Sequence, residues 1–153
     1  MASTAVVLGL DFGGTKVAAA TCDLDGHQLH REIISTRSDE GGEAVLARGL
    51  DAAGELLSRL GNPPLDGIGV ATIGVPNGRF VELAPAIPGW EHIPLAERVA
   101  DALGAPSFEV ALGHLELVSA WQSYNPALLA AIASVRGSAA DATQPARGGA
   151  AVR

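Results

Sequence analysis

The chain has 153 residues, of which 48% are hydrophobic and 18% charged, and this composition is typical of one soluble globular domain. Its 17 acidic residues outnumber its 10 basic residues and give a formal net charge of -7, so we expect no direct binding of nucleic acid or of an anionic membrane surface. No apolar run approaches the roughly 18 residues of a spanning helix, and the first residues lack the pattern of a signal peptide, so we expect a cytoplasmic protein.

The cysteine and histidine content predicts neither a disulfide nor a structural metal. Cys22 is the only cysteine, so no internal disulfide and no zinc site can form from cysteines. The histidines, at positions 27, 30, 92 and 114, have no metal-ligand spacing, and we assign them to the surface or to packing. The fold must therefore be stabilised by apolar burial.

The first half of the sequence predicts three strands and a helix. Residues 5–11, 16–22 and 27–36 are apolar runs separated by Gly-bearing turns, a pattern that predicts an antiparallel meander. Residues 40–61 then carry apolar side chains at steps of three and four, which predicts an amphipathic helix that Gly61 and the following prolines end.

The second half predicts alternating strands and helices. Residues 66–75 form a glycine-containing apolar run typical of a buried strand, and Asn-Gly at 77–78 predicts a hairpin turn. A helix over 94–103 and a fifth strand over 107–110 follow. This order predicts an α/β fold with a mixed five-stranded sheet and helices on its faces.

The composition changes near Ala111. Residues 1–110 contain 15 acidic and 7 basic side chains, whereas residues 111–153 contain two acidic side chains and three arginines. We therefore predict a lobe over 1–110, an atypical helical segment over 111–133, and a disordered Ala/Gly/Arg-rich tail over 134–153. The abruptness of the change suggests the hypothesis that the tail is an out-of-frame product of a GC-rich gene.

One motif combines several groups that suit phosphate binding. Asp11-Phe12-Gly13-Gly14-Thr15-Lys16 lies where the first strand turns into the second. Successive N–H groups of a Gly-rich turn suit phosphate oxygens, Thr15 adds a hydroxyl, and Asp11 can hold a hydrated Mg²⁺. The alternative is an ordinary hairpin in which the glycines supply positive φ angles. Neither a dinucleotide fingerprint nor a P-loop motif occurs in the sequence.

Two blocks of sequence resemble one family. The block LGLDFGGTKVAAATCDLDG at 8–26 is similar to the first phosphate-binding hairpin of the ROK family, which comprises sugar kinases, among them glucokinases, and sugar-responsive repressors of the actin-like ATPase (ribonuclease H-like) fold. The block at 66–106 resembles the family's next strand, hairpin, P-G-W loop and helix. The similarity covers about residues 5–110, which correspond to the family's N-terminal lobe.

The resemblance implies ligands and the residues that bind them. The implied ligands are ATP, Mg²⁺ and a hexose, and the implied reaction is phosphoryl transfer from ATP to a hexose hydroxyl. Asp11 would hold Mg²⁺ through water, and Gly74 matches the glycine that approaches the sugar. The residues that match the nucleotide phosphate motif are Asp11, Gly13, Gly14, Thr15 and Lys16.

Several positions depart from the family pattern. Ile73 replaces a proline, and Ala86 replaces an asparagine that a sugar hydroxyl would contact, which puts glucose as the substrate in doubt. The family's general-base aspartate is not found after Val110, and Glu109 and Glu116 flank that position without matching it. The second phosphate motif, the His/Cys zinc site and the C-terminal lobe are also absent.

Three functions remain open at this stage. The first is an ATP-dependent sugar kinase that is truncated and lacks its catalytic aspartate. The second is a sugar-responsive repressor, which would need a DNA-binding module ahead of the first strand, where only a few residues lie. The third is a non-catalytic remnant or interaction module that self-associates through the surface that a missing lobe would cover.

Overall fold

The computed structural model describes residues 4–111, with side chains through Ser107. Their elements in chain order are β1 (Val6–Phe12), β2 (Lys16–Cys22), β3 (Gln28–Ser35), α1 (Gly42–Arg59), β4 (Leu65–Thr72), β5 (Val75–Asn77), β6 (Phe80–Glu82), α2 (Leu95–Leu103) and β7 (Ser107–Ala111). Short 3-10 helices cover Ser38–Glu40 and Trp90–His92. Beyond Ala111, the predicted segment and tail lie outside the described residues.

Five strands form one mixed sheet in the order β3-β2-β1-β4-β7. The three strands of the meander pair antiparallel, as tight turns require, and β4 and β7 join in parallel after crossovers that contain α1 and α2. The predicted α/β class and the mixed sheet are therefore confirmed.

The predicted strand at 66–75 is two strands in the structure. β4 ends at Thr72, and a separate two-stranded hairpin of β5 and β6 begins at Val75. Gly74 lies between them with φ +83°, a left-handed conformation that interrupts an extended run. The predicted turn at Asn77 and Gly78 is confirmed, since Asn77 pairs with Phe80 across it.

Both described helices pack on the same face of the sheet. Alternate residues of β1 point toward them, as the twofold period of a strand requires. Burial of each large apolar side chain in this core contributes about 1.5–3 kcal/mol. The fully or nearly fully buried side chains include Leu8, Leu10 and Phe12 of β1, Val45, Leu46 and Leu56 of α1, and Leu95 and Val99 of α2. No helix of the described residues is long and apolar enough to cross a membrane.

Two ion pairs on the surface join α2 to α1 and to the β5–β6 hairpin. Arg98 of α2 donates to both carboxylate oxygens of Glu43 on α1, at 2.9 and 2.8 Å. This contact holds the pKa of Glu43 below its usual range. Arg79, at the tip of the β5–β6 hairpin, makes the same bidentate contact with Glu97 of α2, at 2.6 and 2.7 Å.

The ends of three parallel strands meet at one edge of the sheet. Asp11 of β1 pairs with Ala71 of β4, which pairs with Val110 of β7. The next row contains Phe12, Thr72 and Ala111, and these are the last residues of the three strands. Ligands of open α/β sheets bind at this carboxyl edge.

Candidate functional site

The predicted phosphate motif forms the turn between β1 and β2. Asp11 lies at the end of β1 and is half-buried, while Thr15 and Lys16 are exposed. The N–H of Gly13 donates to the carbonyl oxygen of Lys16 at 3.0 Å and closes the 13–15 turn. No hydrogen bond between described residues uses the N–H of Gly14 or of Thr15. The structure thus brings together all five residues predicted to bind phosphate, with two backbone donors available at the turn.

The surroundings of this turn exclude a side chain at Gly13 and leave little room for one at Gly14. Neither has a positive φ angle, so the reason offered by the ordinary-hairpin alternative does not apply. A Cβ on Gly13 would lie 2.8 Å from the carbonyl oxygen of Lys16, and a Cβ on Gly14 would lie 3.3 Å from Cβ of Ala86. Gly14 therefore allows a second segment to approach the turn.

That second segment is the 84–90 loop, which contains the P-G-W sequence. Ala84, Ile87 and Trp90 are buried at steps of three, and the residues between them are exposed. Successive backbone hydrogen bonds join these three residues, from Ile87 N–H to the Ala84 carbonyl at 3.3 Å and from Trp90 N–H to the Ile87 carbonyl at 3.1 Å. The buried residues fix the loop and present Pro85, Ala86, Pro88 and Gly89 on its outer side.

Trp90 connects the loop to two strand ends. Its ring lies 5.0 Å from the ring of Phe12, centroid to centroid, with an angle of 48° between the planes. Its indole Nε1 donates to the hydroxyl of Thr72 at 2.9 Å, and both side chains are almost completely buried. The aromatic pair and the hydrogen bond fix the loop against the ends of β1 and β4.

Gly74 is required by the packing of the hairpin. Gly74 has a positive φ, which favours glycine. In addition, a Cβ at this position would lie 2.4 Å from the Glu82 carbonyl oxygen and 2.6 Å from Cγ1 of Val81. These internal contacts account for the glycine, and the approach of a sugar to Gly74 stays a prediction. A Cβ on Gly74 would also lie 3.0 Å from Cβ of Ala84, so Gly74 is next to the 84–90 loop.

The two departures from the family pattern both lie at this edge of the sheet. Ile73 donates its N–H to the carbonyl oxygen of Phe12 at 3.1 Å, a bond that a proline cannot make, and its side chain packs against the core. Ala86 is exposed beside Gly14 and offers no side-chain hydrogen bond. The backbone of Glu109 lies in β7, one residue before the row of Asp11, and Glu116 lies outside the described residues.

One acidic and histidine cluster was not predicted. Asp23, Asp25 and His27, in the turn between β2 and β3, have potential ligand atoms within 4.8 Å of one another. The Asp23 carboxylate accepts from the backbone N–H groups of Asp25 and His27, at 3.0 and 2.8 Å, and contacts the His27 ring at 3.0 Å. These bonds lower the pKa of Asp23 and raise that of His27. The interactions within the turn account for the cluster without an ion.

Two polar residues at the site were also missed by sequence analysis. Thr72 accepts the indole N–H described above, and Thr36 contacts the 13–15 turn from the end of β3. Both are fully buried threonines. A threonine at the end of an apolar strand carries no distinguishing pattern, so only the three-dimensional contacts identify them.

Comparison with known proteins gives matches among solved structures. No family model matches the chain, and no curated protein matches it. A ROK hexokinase from Thermus thermophilus is 30% identical with a TM-score of 0.63, over 76% of this chain and 38% of that one. A ROK family glucokinase from Streptomyces griseus, solved with glucose and AMPPNP, is 24% identical with a TM-score of 0.61, over 78% of this chain and 36% of that one.

A regulator has the same fold. A ROK family transcriptional regulator, a homologue of the Escherichia coli MLC protein, is 18% identical with a TM-score of 0.63, over 81% of this chain and 32% of that one. At this identity the likeness is one of fold alone. The chain spans less than two fifths of the length of each of these three proteins.

Proposed function

Because the chain resembles the ROK family both in its fold and in its phosphate motif, we propose that it forms the nucleotide- and hexose-binding lobe of an ATP-dependent sugar kinase. The reaction would transfer the γ-phosphoryl group of ATP to a hexose hydroxyl in the cytoplasm. The observation that carries this proposal is the proximity of the 84–90 loop to the 13–15 turn, since a Cβ on Gly14 would lie 3.3 Å from Cβ of Ala86. Adjacent phosphoryl donor and acceptor sites are what such a transfer requires.

The residues of the turn fit a nucleotide phosphate. Gly14 and Thr15 have backbone N–H groups that no described residue uses, and Lys16 is an exposed cation next to them. The half-buried carboxylate of Asp11 is a hard oxygen ligand that suits Mg²⁺ held through water. When bound, Mg²⁺ neutralises charge on the phosphate oxygens. The backbone N–H groups of the turn and the Lys16 ammonium would orient the phosphates, and positioning supplies a large part of the rate of such reactions.

The absence of an aspartate at the family's general-base position supports low activity of the chain alone. The family's aspartate would follow Val110, which shares a row of the sheet with Asp11, and this chain has Ala111 and Leu112 there. An alanine cannot accept the proton of a sugar hydroxyl. We therefore propose that the 153-residue chain binds ligands but does not turn over without a base from elsewhere.

Titration calorimetry of the 153-residue chain with AMPPNP, in the presence and absence of Mg²⁺, tests the nucleotide site. We expect binding that Mg²⁺ strengthens, and Asp11→Asn should remove the Mg²⁺ dependence while leaving the metal-free affinity. Asp51→Asn, which removes an exposed carboxylate on α1, is the control and should change neither value. Absence of AMPPNP binding to the wild type at millimolar concentrations would exclude the proposal.

Hexose binding is tested at Ala86. Ala86→Asn restores an amide at an exposed position next to the turn, so it should strengthen the binding of hexoses, by up to about tenfold for one good hydrogen bond. Ala86→Leu adds similar bulk without a polar group and is the matched control. Sugar-dependent release of ADP should stay at background in all three proteins.

The hairpin of β5 and β6 favours a second candidate function, that of an interaction module. Its exposed apolar side chains are Val75, Phe80 and, just after β6, Leu83, which is 76% exposed. Such side chains favour self-association when no other lobe covers them. Light scattering during size-exclusion chromatography tests this candidate: a dimer that Leu83→Ser dissociates would support it, and a monomer at all concentrations would exclude it.

A further inference from the structure

Thr36 is a buried polar residue that contacts the 13–15 turn from behind. It follows the last residue of β3, and its side chain is completely buried. Its hydroxyl donates to the carbonyl oxygen of Gly13 at 2.7 Å, and its N–H donates to the carbonyl oxygen of Thr15 at 3.0 Å. One residue therefore binds two of the carbonyl groups of the turn.

The first of these bonds sets the direction of a phosphate donor. The carbonyl of Gly13 and the N–H of Gly14 belong to the same peptide group, and in a trans peptide they point in opposite directions. Because the Thr36 hydroxyl holds the carbonyl on the inner side, the N–H of Gly14 is directed to the outer side. No described residue accepts a hydrogen bond from that N–H.

Thr36 is itself held by α1. Arg48 donates to the carbonyl oxygen of Thr36 and, at 3.1 Å, to that of Arg37, and it forms an ion pair with Glu40. Arg37 has φ 49°, a left-handed conformation that turns the chain away from β3 directly after Thr36. A continuous series of hydrogen bonds thus runs from the helix through Thr36 to the turn.

We propose that Thr36 is a positioning residue whose hydroxyl orients the Gly13–Gly14 peptide toward the donor phosphate. The part of this inference that concerns phosphate rests on the proposed function. Thr36 does not touch the nucleotide. It acts through the turn, and a buried donor that fixes a peptide in advance reduces the reorganisation that binding requires.

The test compares variants that differ by one hydroxyl. Thr36→Val removes the donor at nearly constant volume, and Thr36→Ser keeps the donor. Thr21→Val is the matched control, because Thr21 is also completely buried in the sheet and its Oγ1 has no hydrogen-bond partner among the described residues. The probes are the ¹⁵N order parameter and chemical shift of the Gly14 amide, the affinity for Mg²⁺·AMPPNP, and the affinity for glucose.

We expect Thr36→Val to shift the Gly14 amide and lower its order parameter, and to weaken AMPPNP binding by about three- to tenfold, as for one hydrogen bond. The affinity for glucose should stay unchanged. Thr36→Ser should keep both the Gly14 amide signal and the AMPPNP affinity of the wild type. Thr21→Val should resemble the wild type in all three measurements. If Thr36→Val does not fold, Thr36→Cys replaces the hydroxyl by a weak donor and is judged by the same criteria.

The outcomes separate this inference from the proposed function. An unchanged Gly14 amide in Thr36→Val overturns the inference, whether or not nucleotide binds. An equal loss of AMPPNP and glucose affinity also overturns it, because that result indicates general destabilisation. A wild type that does not bind AMPPNP excludes the proposed function, and the Gly14 amide then still decides whether Thr36 orients the turn.

Discussion

α1 packs closely on the sheet at Gly49, and a methyl group there would have two opposing effects on stability, a gain in helix propensity and a clash with the sheet. An ideal Cβ on Gly49 would lie 2.5 Å from Cε1 and 2.8 Å from Cζ of Phe12, well inside the roughly 3.5 Å of an ordinary carbon contact. Phe12 is fully buried and contacts Trp90, so its ring has little room to move. We therefore expect Gly49→Ala to force the helix and the sheet apart.

The expected change in the free energy of unfolding follows from comparison with Gly54, a second glycine of the same helix. A Cβ on Gly54 would meet nothing within 4 Å, so Gly54→Ala should raise the free energy of unfolding by the ordinary helix gain of about 0.5–1 kcal/mol. Gly49→Ala has the same gain, but overpacking costs about 1–3 kcal/mol. The free energies of unfolding of the two variants should therefore differ by about 1–3 kcal/mol, with Gly49→Ala the less stable.

Urea denaturation followed by circular dichroism measures both values, provided that the slopes of the transitions agree. A double-mutant cycle then identifies the cause. Phe12→Leu removes the ring atoms that the new methyl group would meet, so Gly49→Ala should cost much less in that background. If Gly49→Ala is as stable as Gly54→Ala, or if its cost is unchanged in Phe12→Leu, the contact is not the cause and the reasoning is wrong.

Three further predictions concern single positions. Gly74→Ala should lower the free energy of unfolding by about 2–4 kcal/mol, because it combines a left-handed φ with a backbone clash. Gly78 also has a positive φ, +65°, but lies in open space, so Gly78→Ala should lower the free energy of unfolding by only about 1 kcal/mol. Urea denaturation measures both values. Thr72→Val leaves the buried indole N–H of the 84–90 loop without its acceptor, so we expect a loss of about 1–3 kcal/mol in the same assay. The ion pair of Asp23 and His27 should stabilise the fold most between about pH 3.8 and 6.5 and be lost as the pH rises through the raised pKa of His27 or falls through the lowered pKa of Asp23. NMR titration should place the His27 midpoint above 6.5 and show it returning toward 6.5 in Asp23→Asn, while an unchanged midpoint would contradict the pairing.

The elements that depend on local patterns were predictable from sequence. The alternating strands of the meander, the apolar steps along α1 and the Asn-Gly turn are each determined by neighbouring residues, and the turn between β1 and β2 is one contiguous run. The strand at 66–75 was predicted too long, because an apolar run does not reveal the left-handed φ of Gly74.

Contacts between distant residues were not predictable in the same way. Thr36 and Gly13 are 23 positions apart, and Trp90 and Thr72 are 18 apart. No periodicity relates such pairs, so the sequence showed which residues form the turn and the loop but not what holds them. The conformation of the turn thus depends on buried polar groups that the motif itself does not include.

In the 84–90 loop, by contrast, the sequence does contain a pattern that predicts which side of the loop is buried. Its apolar residues recur every third position and continue to Ile93, which is also buried, and this period is neither that of a strand nor that of an α-helix. It is the period of successive tight turns, in which every third residue faces the same side. That side packs against the ends of β1 and β4, and the residues between the buried ones are exposed, among them Ala86, which lies next to Gly14 of the 13–15 turn. The spacing of apolar residues in the loop therefore predicts which of its residues are exposed, and a polar residue at the exposed position 86 would lie next to the 13–15 turn without disturbing the core.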